Sequence, residues 1–113
     1  MEHRHFFFLI SPHFDGNNYA YWKVRMKAFL KSIDERVWDS VEYGWEKPTT
    51  PVSEWQTSQK EVAAFNSKVM NAIFNAVSME EFKRISNVEV VHTAWNILQT
   101  VHEGIKAVKI NKL

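Results

Sequence analysis

The sequence predicts an all-α fold, a compact bundle of about five or six helices. Apolar residues recur three, four and seven positions apart along most of the chain. Strict two-residue alternation is confined to Val88-Glu89-Val90, and no Asn-Gly or Asp-Gly pair stands between alternating runs, as a hairpin requires. The 113 residues, 45% hydrophobic and 24% charged, have the length of one domain and the composition of a chain that buries a core.

The first helix is predicted from Tyr19. Its apolar side is Tyr19, Trp22, Met26, Phe29, Leu30 and Ile33, and Lys23, Lys27 and Lys31 recur every fourth residue as a basic flank. Asn17 or Asn18 supplies the expected N-cap. A short second helix follows Asp34 as N-cap, with Val37, Trp38 and Val41 inward and Gly44 permitting the turn beyond. Residues 45–52 form a loop, because Pro48 and Pro51 disfavour helix in the residues before them.

The third helix has two candidate starts, Ser53 with Gln56 and Ser58 with Glu61, each with capping-box spacing. Its expected core stripe is Val62, Phe65, Val69, Ile73 and Val77, with Lys60, Asn66, Lys68, Asn71 and Asn75 on other sides. Ser78 and Glu81 repeat the capping-box pattern ahead of a short helix that turns Met79, Phe82 and Ile85 inward. A last stripe, Val91, Ala94, Trp95, Leu98 and Val101, predicts a helix capped near Asn87 and closed by Gly104. Residues 105–113 read as a further, unfinished helix with Lys106, Lys109 and Lys112 on one side.

Little in this composition points to catalysis. The chain has no Cys, which excludes disulfides, thiolate zinc sites and Cys nucleophiles. His3, His5 and His13 lack the thiolate or carboxylate partners that complete a metal set, and His92 and His102 read as helix-edge residues with hydrogen-bond partners. No Gly-x-Ser-x-Gly elbow occurs, and Gly16, Gly44 and Gly104 are too dispersed to cradle a phosphate. Asp34-Glu35 and Glu80-Glu81 sit at helix starts, where carboxylates complement the helix dipole. The expectation is a non-enzymatic protein without catalytic residues, cofactor, metal or small-molecule substrate. Net charge is +1, so nucleic-acid contact would need a local patch, for which Lys23, Lys27 and Lys31 are the candidates. The apolar run Phe6 to Ile10 is too short for a membrane span and reads as part of an N-terminal extension over residues 1–12.

The block around the first helix is distinctive. Phe14-Asp15-Gly16 is followed by Asn18, Tyr19 and Trp22, then a Lys/Arg-rich helix ending in Phe29-Leu30. Physically, Gly16 turns the chain into the helix, Asn18 caps it, Phe14 staples across the cap, and Tyr19 with Trp22 anchors one stripe. This pattern resembles the N-terminal Gag motif of plant copia-type LTR retrotransposons. Trp38, the loop ending near Trp55, residues 72–77 and the segment around Trp95 extend the resemblance over residues 11–113.

The resemblance implies a helical domain over residues 13–113 like the N-terminal domain of a retroviral capsid, truncated at its C-terminal end. Such domains normally precede a second capsid domain and a Cys-Cys-His-Cys zinc knuckle that grips RNA. Without Cys, the knuckle is not carried over to this sequence. The implied role is homotypic assembly, with other Gag copies as partners, into particles around element RNA. The implied location is cytoplasmic and particle-associated, or nuclear, away from membranes. Two alternatives stand beside it: a domesticated host module that docks a protein through the apolar residues of the Trp45 to Trp55 loop, and weak nucleic-acid binding through the Lys faces.

Overall fold

The computed structural model describes residues 11–112, with side chains for residues 11–104. Over these residues the chain is all-α, with five helices: α1 (Tyr19–Ile33), α2 (Glu35–Glu42), α3 (Thr57–Ala76), α4 (Met79–Ile85) and α5 (Val91–Lys112). A 3-10 turn, Val52–Glu54, interrupts the loop before α3. His3, His5 and the apolar run Phe6 to Ile10 lie outside the described residues, as do the side chains of Lys106, Lys109 and Lys112. Among the described residues no helix is long and apolar enough to cross a membrane.

α1 buries Tyr19, Trp22, Met26 and Leu30, which its 3.6-residue period brings to one side. Ile33, expected on that side, is 44% exposed, because the chain breaks at Asp34 to start α2. Asp34 has extended backbone, and its Oδ1 accepts the Arg36 N–H at 2.9 Å. The Arg36 guanidinium also donates to Oδ2 at 2.9 Å. These hydrogen bonds to Arg36 hold the Asp34 carboxyl down at about 2. A folded-state value below the unfolded one means that the charged carboxylate favours folding above about pH 4, and that this is lost as pH falls through about 2. Asp34→Asn should therefore melt below wild type at neutral pH, by a gap that salt narrows and that closes as pH approaches 2. Paired melting curves from pH 7 to pH 2 check this, and a gap that persists into acid would contradict it.

α2 turns Val37, Trp38 and Val41 inward. The chain then leaves the helix through Gly44, whose φ of 85° suits glycine. Neither expected serine starts α3. Ser53 lies in the 3-10 turn, and the helix begins at Thr57 with Gln56 as N-cap, where Gln59 Oε1 accepts the Gln56 N–H at 2.7 Å. Gln59 thus fills the reach-back position of a capping box two residues before the Ser58 alternative.

The inner line of α3 is also rotated from the expected stripe. Val69 and Ile73 are buried as predicted, but Val62 is 42% exposed and Asn66, expected on another side, is buried at 3%. The reason lies in α5. Asn66 Nδ2 donates to the Glu89 carbonyl at 2.8 Å, and Asn66 Oδ1 accepts the Val91 N–H at 2.8 Å. α5 therefore takes its N-terminal hydrogen bond from a side chain on α3, while Asn87, the expected cap, stays exposed. Asn66→Leu would orphan a buried N–H, and the loss should be about 2 kcal/mol in denaturant unfolding. An unchanged midpoint would show that water replaces the Asn66 bonds.

α4 is capped by Ser78, whose Oγ accepts the Glu81 N–H at 3.5 Å. Met79, at the first helical position, is 69% exposed instead of inward, whereas Ile85 is fully buried. α5 runs through Gly104 to Lys112 as one helix, so Gly104 does not end it. Gly104 lacks the positive φ of a C-cap, and a glycine stops a helix only in that conformation. Val101 is 43% exposed, on the outer side of this helix.

The core joins all five helices and the entry segment. Phe14, Met26, Leu30, Val41, Val69, Ile73, Ile85, Val91 and Leu98 are sealed from solvent, with Trp22, Trp38 and Trp95 at its centre. A bridge pairing of Phe14 with Val77 ties the entry to the α3–α4 corner: Phe14 N–H donates to the Ala76 carbonyl at 2.7 Å, and Ser78 N–H to the Phe14 carbonyl at 2.9 Å.

Candidate interaction site

The motif residues are mostly scaffold. Phe14 stacks on Trp22 with ring centroids 4.9 Å apart and meets Tyr19 edge-on at 5.6 Å. Trp22 leans on Trp95 at 5.6 Å, and Trp95 meets Trp38 edge-on at 5.3 Å. One aromatic chain thus gathers Phe14, Tyr19, Trp22, Trp38 and Trp95, and Trp22 Nε1 donates to the Pro12 carbonyl at 2.9 Å. Leu30 is buried, and Phe29 is half-buried against this core. Asp15 Oδ1 accepts the Asn17 N–H at 2.9 Å and sets the turn.

Asn18 caps α1 differently from expectation. It has left-handed backbone, φ 56°, and its side chain makes no capping bond, while its carbonyl accepts the Trp22 N–H. Gly16 takes φ 102°, a conformation that favours glycine, and a Cβ there would stand 3.3 Å from Glu81 Oε2, a tight contact to which the carboxylate would have to yield.

Glu81 was expected as a capping residue and is instead a buried carboxylate, 3% exposed. Its Oε1 meets His102 Nε2 at 2.9 Å and Arg84 Nε at 3.3 Å. His102 lies parallel to the Tyr19 ring at 5.3 Å and edge-on to Phe14 at 4.9 Å. Burial, with Glu103 adding to it, pushes the Tyr19 hydroxyl above its ordinary range and keeps it neutral. His92 Nδ1 lies 2.6 Å from the Val41 carbonyl, which can only accept, so Nδ1 carries the proton and Nε2 accepts from Asn96 at 3.1 Å. Both histidines therefore tie helices together. Among the described residues no group of three or more His, Asp or Glu side chains is arranged to hold a metal ion.

The three lysines are partly occupied within the chain. Lys23 pairs with Glu103 at 3.5 Å, and Lys27 stands over the Trp38 ring at 5.1 Å. The Glu42 carboxyl is lowered first by the Tyr43 hydroxyl and Trp38 N–H, then by Lys27 and Lys31. The basic flank thus faces acid on its own molecule, which weakens it as a phosphate-binding surface.

Grooves lined by apolar and polar side chains open on the surface. A groove of about 600 Å³ lies between the Trp45 to Trp55 loop and α3, with Val52, Met70, Phe74 and Val88 among its walls. Its loop is folded, since Trp45 meets Trp55 edge-on at 6.5 Å and Trp55 Nε1 donates to the Thr50 carbonyl. Lys47 and Glu89, also in its lining, form an ion pair at 3.1 Å. A smaller groove of about 240 Å³ lies between α2 and α3, with Tyr43, Val62, Phe65 and Asp39 along it. On α1, opposite the buried stripe, Tyr21 and Val24 are 65% and 69% exposed.

Residues 14–42 match a family model described as a domain of unknown function, DUF4219, over about a quarter of the chain. No curated protein and no solved structure matches the chain. The matched stretch runs from Phe14 to the end of α2, so it holds the motif and the first helical pair.

Proposed function

We propose that this chain is a non-enzymatic Gag-type helical domain of a copia-like retrotransposon, and that its work is homotypic packing with other copies of itself. The family matched at residues 14–42 is one found in plant retrotransposon Gag-like proteins, and the match falls on the motif that carries the resemblance. The observation that carries the reading is how α1 divides its residues. Its motif side is spent on the core, while Tyr21 and Val24 on the opposite side stay exposed and apolar. Apolar side chains held on a rigid helix and open to solvent among the described residues are the raw material of a protein interface.

In this reading RNA is held by a zinc knuckle, for which this sequence has no cysteines. Assembly proceeds through repeated weak contacts between identical copies, which close into shells or extend as lattices according to their geometry. Light scattering coupled to size exclusion, over a wide range of protein and salt concentration, tests it. Growth beyond a dimer is expected. A strict monomer throughout would overturn homotypic packing by this chain.

A second reading is favoured by the 600 Å³ groove: a domesticated module that docks one protein partner there. Trp45 and Trp55 supply rigid aromatic walls of the kind that concentrate binding energy. In that case the chain stays monomeric, and Trp55→Ala removes partner binding while leaving the fold intact.

A further inference from the structure

We infer that the contact between copies is head-to-tail, with the outer face of α1 in one copy seated in the α2–α3 groove of the next, Tyr21 as anchor and Arg25 facing Asp39. This rests on the homotypic reading above and names its two surfaces.

The first observation is charge segregation between neighbouring helices. α1 carries Lys23, Arg25, Lys27 and Lys31 and no acidic residue. α2 carries Glu35, Asp39 and Glu42 against a single Arg36. That arginine is already matched by Asp34 at 2.9 Å and Glu61 at 3.6 Å. Among the described residues, Asp39 and Arg25 make no ion pair. Since Lys23 and Lys27 are engaged by Glu103 and Trp38 within the molecule, Arg25 on α1 and Asp39 on α2 are the unlike charges that two copies can bring together. A two-fold contact of α1 on α1 would set cations against cations.

The second observation is shape. Tyr21 stands 65% exposed on α1 with the Arg25 guanidinium over its ring at 5.5 Å. The two side chains, four residues apart, form one pre-organised unit, and Tyr and Arg are among the residues that dominate interface energetics. The α2–α3 groove, about 240 Å³, is on the scale of one large side chain; Val62 and Phe65 line it beside Arg36, whose guanidinium stands over the Phe65 ring at 4.8 Å. Val62 is 42% exposed there, and Asp39 lines the same groove. Seated in it, the Tyr21 ring covers Val62 and brings Arg25 to Asp39. Within one chain this cannot happen, because Tyr21 points away from the core that α1 shares with α2. The occupant is therefore a second copy, and unlike faces that meet in this way generate rings or open assemblies instead of closed dimers.

The test uses the full chain and two exposed-site variants, Tyr21→Ala and Asp39→Lys, in size exclusion with light scattering. Each variant alone should need about tenfold more protein than wild type to associate, the loss expected from one interface anchor. Mixed in equal amounts, they should form one-to-one dimers and nothing larger, because the Tyr21→Ala copy keeps its groove and the Asp39→Lys copy keeps its tyrosine. Melting temperatures equal to wild type establish that both variants fold. Wild type that grows while both variants grow equally well would overturn this face pair and leave homotypic packing standing. Wild type that stops at a dimer would overturn the head-to-tail geometry. Wild type that stays monomeric would overturn both.

Discussion

Trp22→Ala should lower stability by about 3–5 kcal/mol, the range for truncating a large core aromatic whose site cannot collapse. Trp22 is 3% exposed and touches three other aromatic rings: Phe14 at 4.9 Å, Tyr19 at 5.9 Å and Trp95 at 5.6 Å. Its indole N–H also holds the Pro12 carbonyl, so the substitution frees the entry segment as well as opening a cavity. Those neighbours are rings on three different segments, fixed by their own contacts, and rigid walls fill a void poorly. For a domain of this size the loss corresponds to a fall in melting temperature of about 12 °C or more. Trp95→Ala should behave alike, because that ring bridges Trp22 and Trp38. Tyr21→Ala, one residue away on the exposed side, is the control and should stay within about 0.5 kcal/mol of wild type. Thermal and urea unfolding of the three variants checks the set. Wild-type melting of Trp22→Ala would mean that the aromatic chain is not the core.

The fold class was legible because helices announce themselves locally. Tyr19, Trp22, Met26 and Leu30 keep helical spacing whatever surrounds them, and Asp34 and Ser78 are capping residues whose role depends on the next three residues alone. Where the sequence misled, a distant partner decided. Val62 fits the α3 stripe by spacing but faces a groove, whereas Asn66 breaks the stripe and is buried, because α5, more than twenty residues on, needs a cap. Nothing within α3 signals that need. Gly104 carried a local signal for a helix end, but that signal acts only with positive φ, which Gly104 does not have.

The candidate surface was legible only in part. Lys23, Lys27 and Lys31 stand out in the sequence by their four-residue spacing, yet Glu103, Trp38 and Glu42 engage them in the fold. Tyr21 drew no attention, since one aromatic off the stripe has no periodic partner. Its significance comes from exposure and from Arg25 lying over it. The family match has the same character. Phe14, Tyr19, Trp22, Leu30 and Trp38 fall within residues 14–42 and are buried, so the apolar positions of the matched stretch serve as scaffold.

Glu81 is the residue with the least local warning and one of the largest expected effects. Spacing from Ser78 makes it look like half of a capping box, in which its carboxylate would reach back to the helix start. Instead the side chain turns inward, under Gly16 and onto His102, and is sealed from water. A buried carboxylate costs several kcal/mol in desolvation, which only its partners offset. His102→Ala removes the nearer hydrogen-bond partner, the stacking on Tyr19 and the edge contact with Phe14, leaving the carboxylate to Arg84 at 3.3 Å. The expected loss is about 3 kcal/mol, at the low end for breaking a buried pair because Arg84 stays. Replacing both partners with leucine should recover most of that loss, since no charge is then stranded and the leucines fill the space between α4 and α5. Glu81→Leu alone should fall between the two, with His102 keeping its aromatic contacts. With His102→Leu as the second single variant, wild type, the two leucine singles and the double form a double-mutant cycle, and a coupling of at least about 1 kcal/mol in urea unfolding is expected. If the double variant is no more stable than His102→Ala, the carboxylate was never stranded, and solvent entering beside Arg84 stabilises it without the histidine.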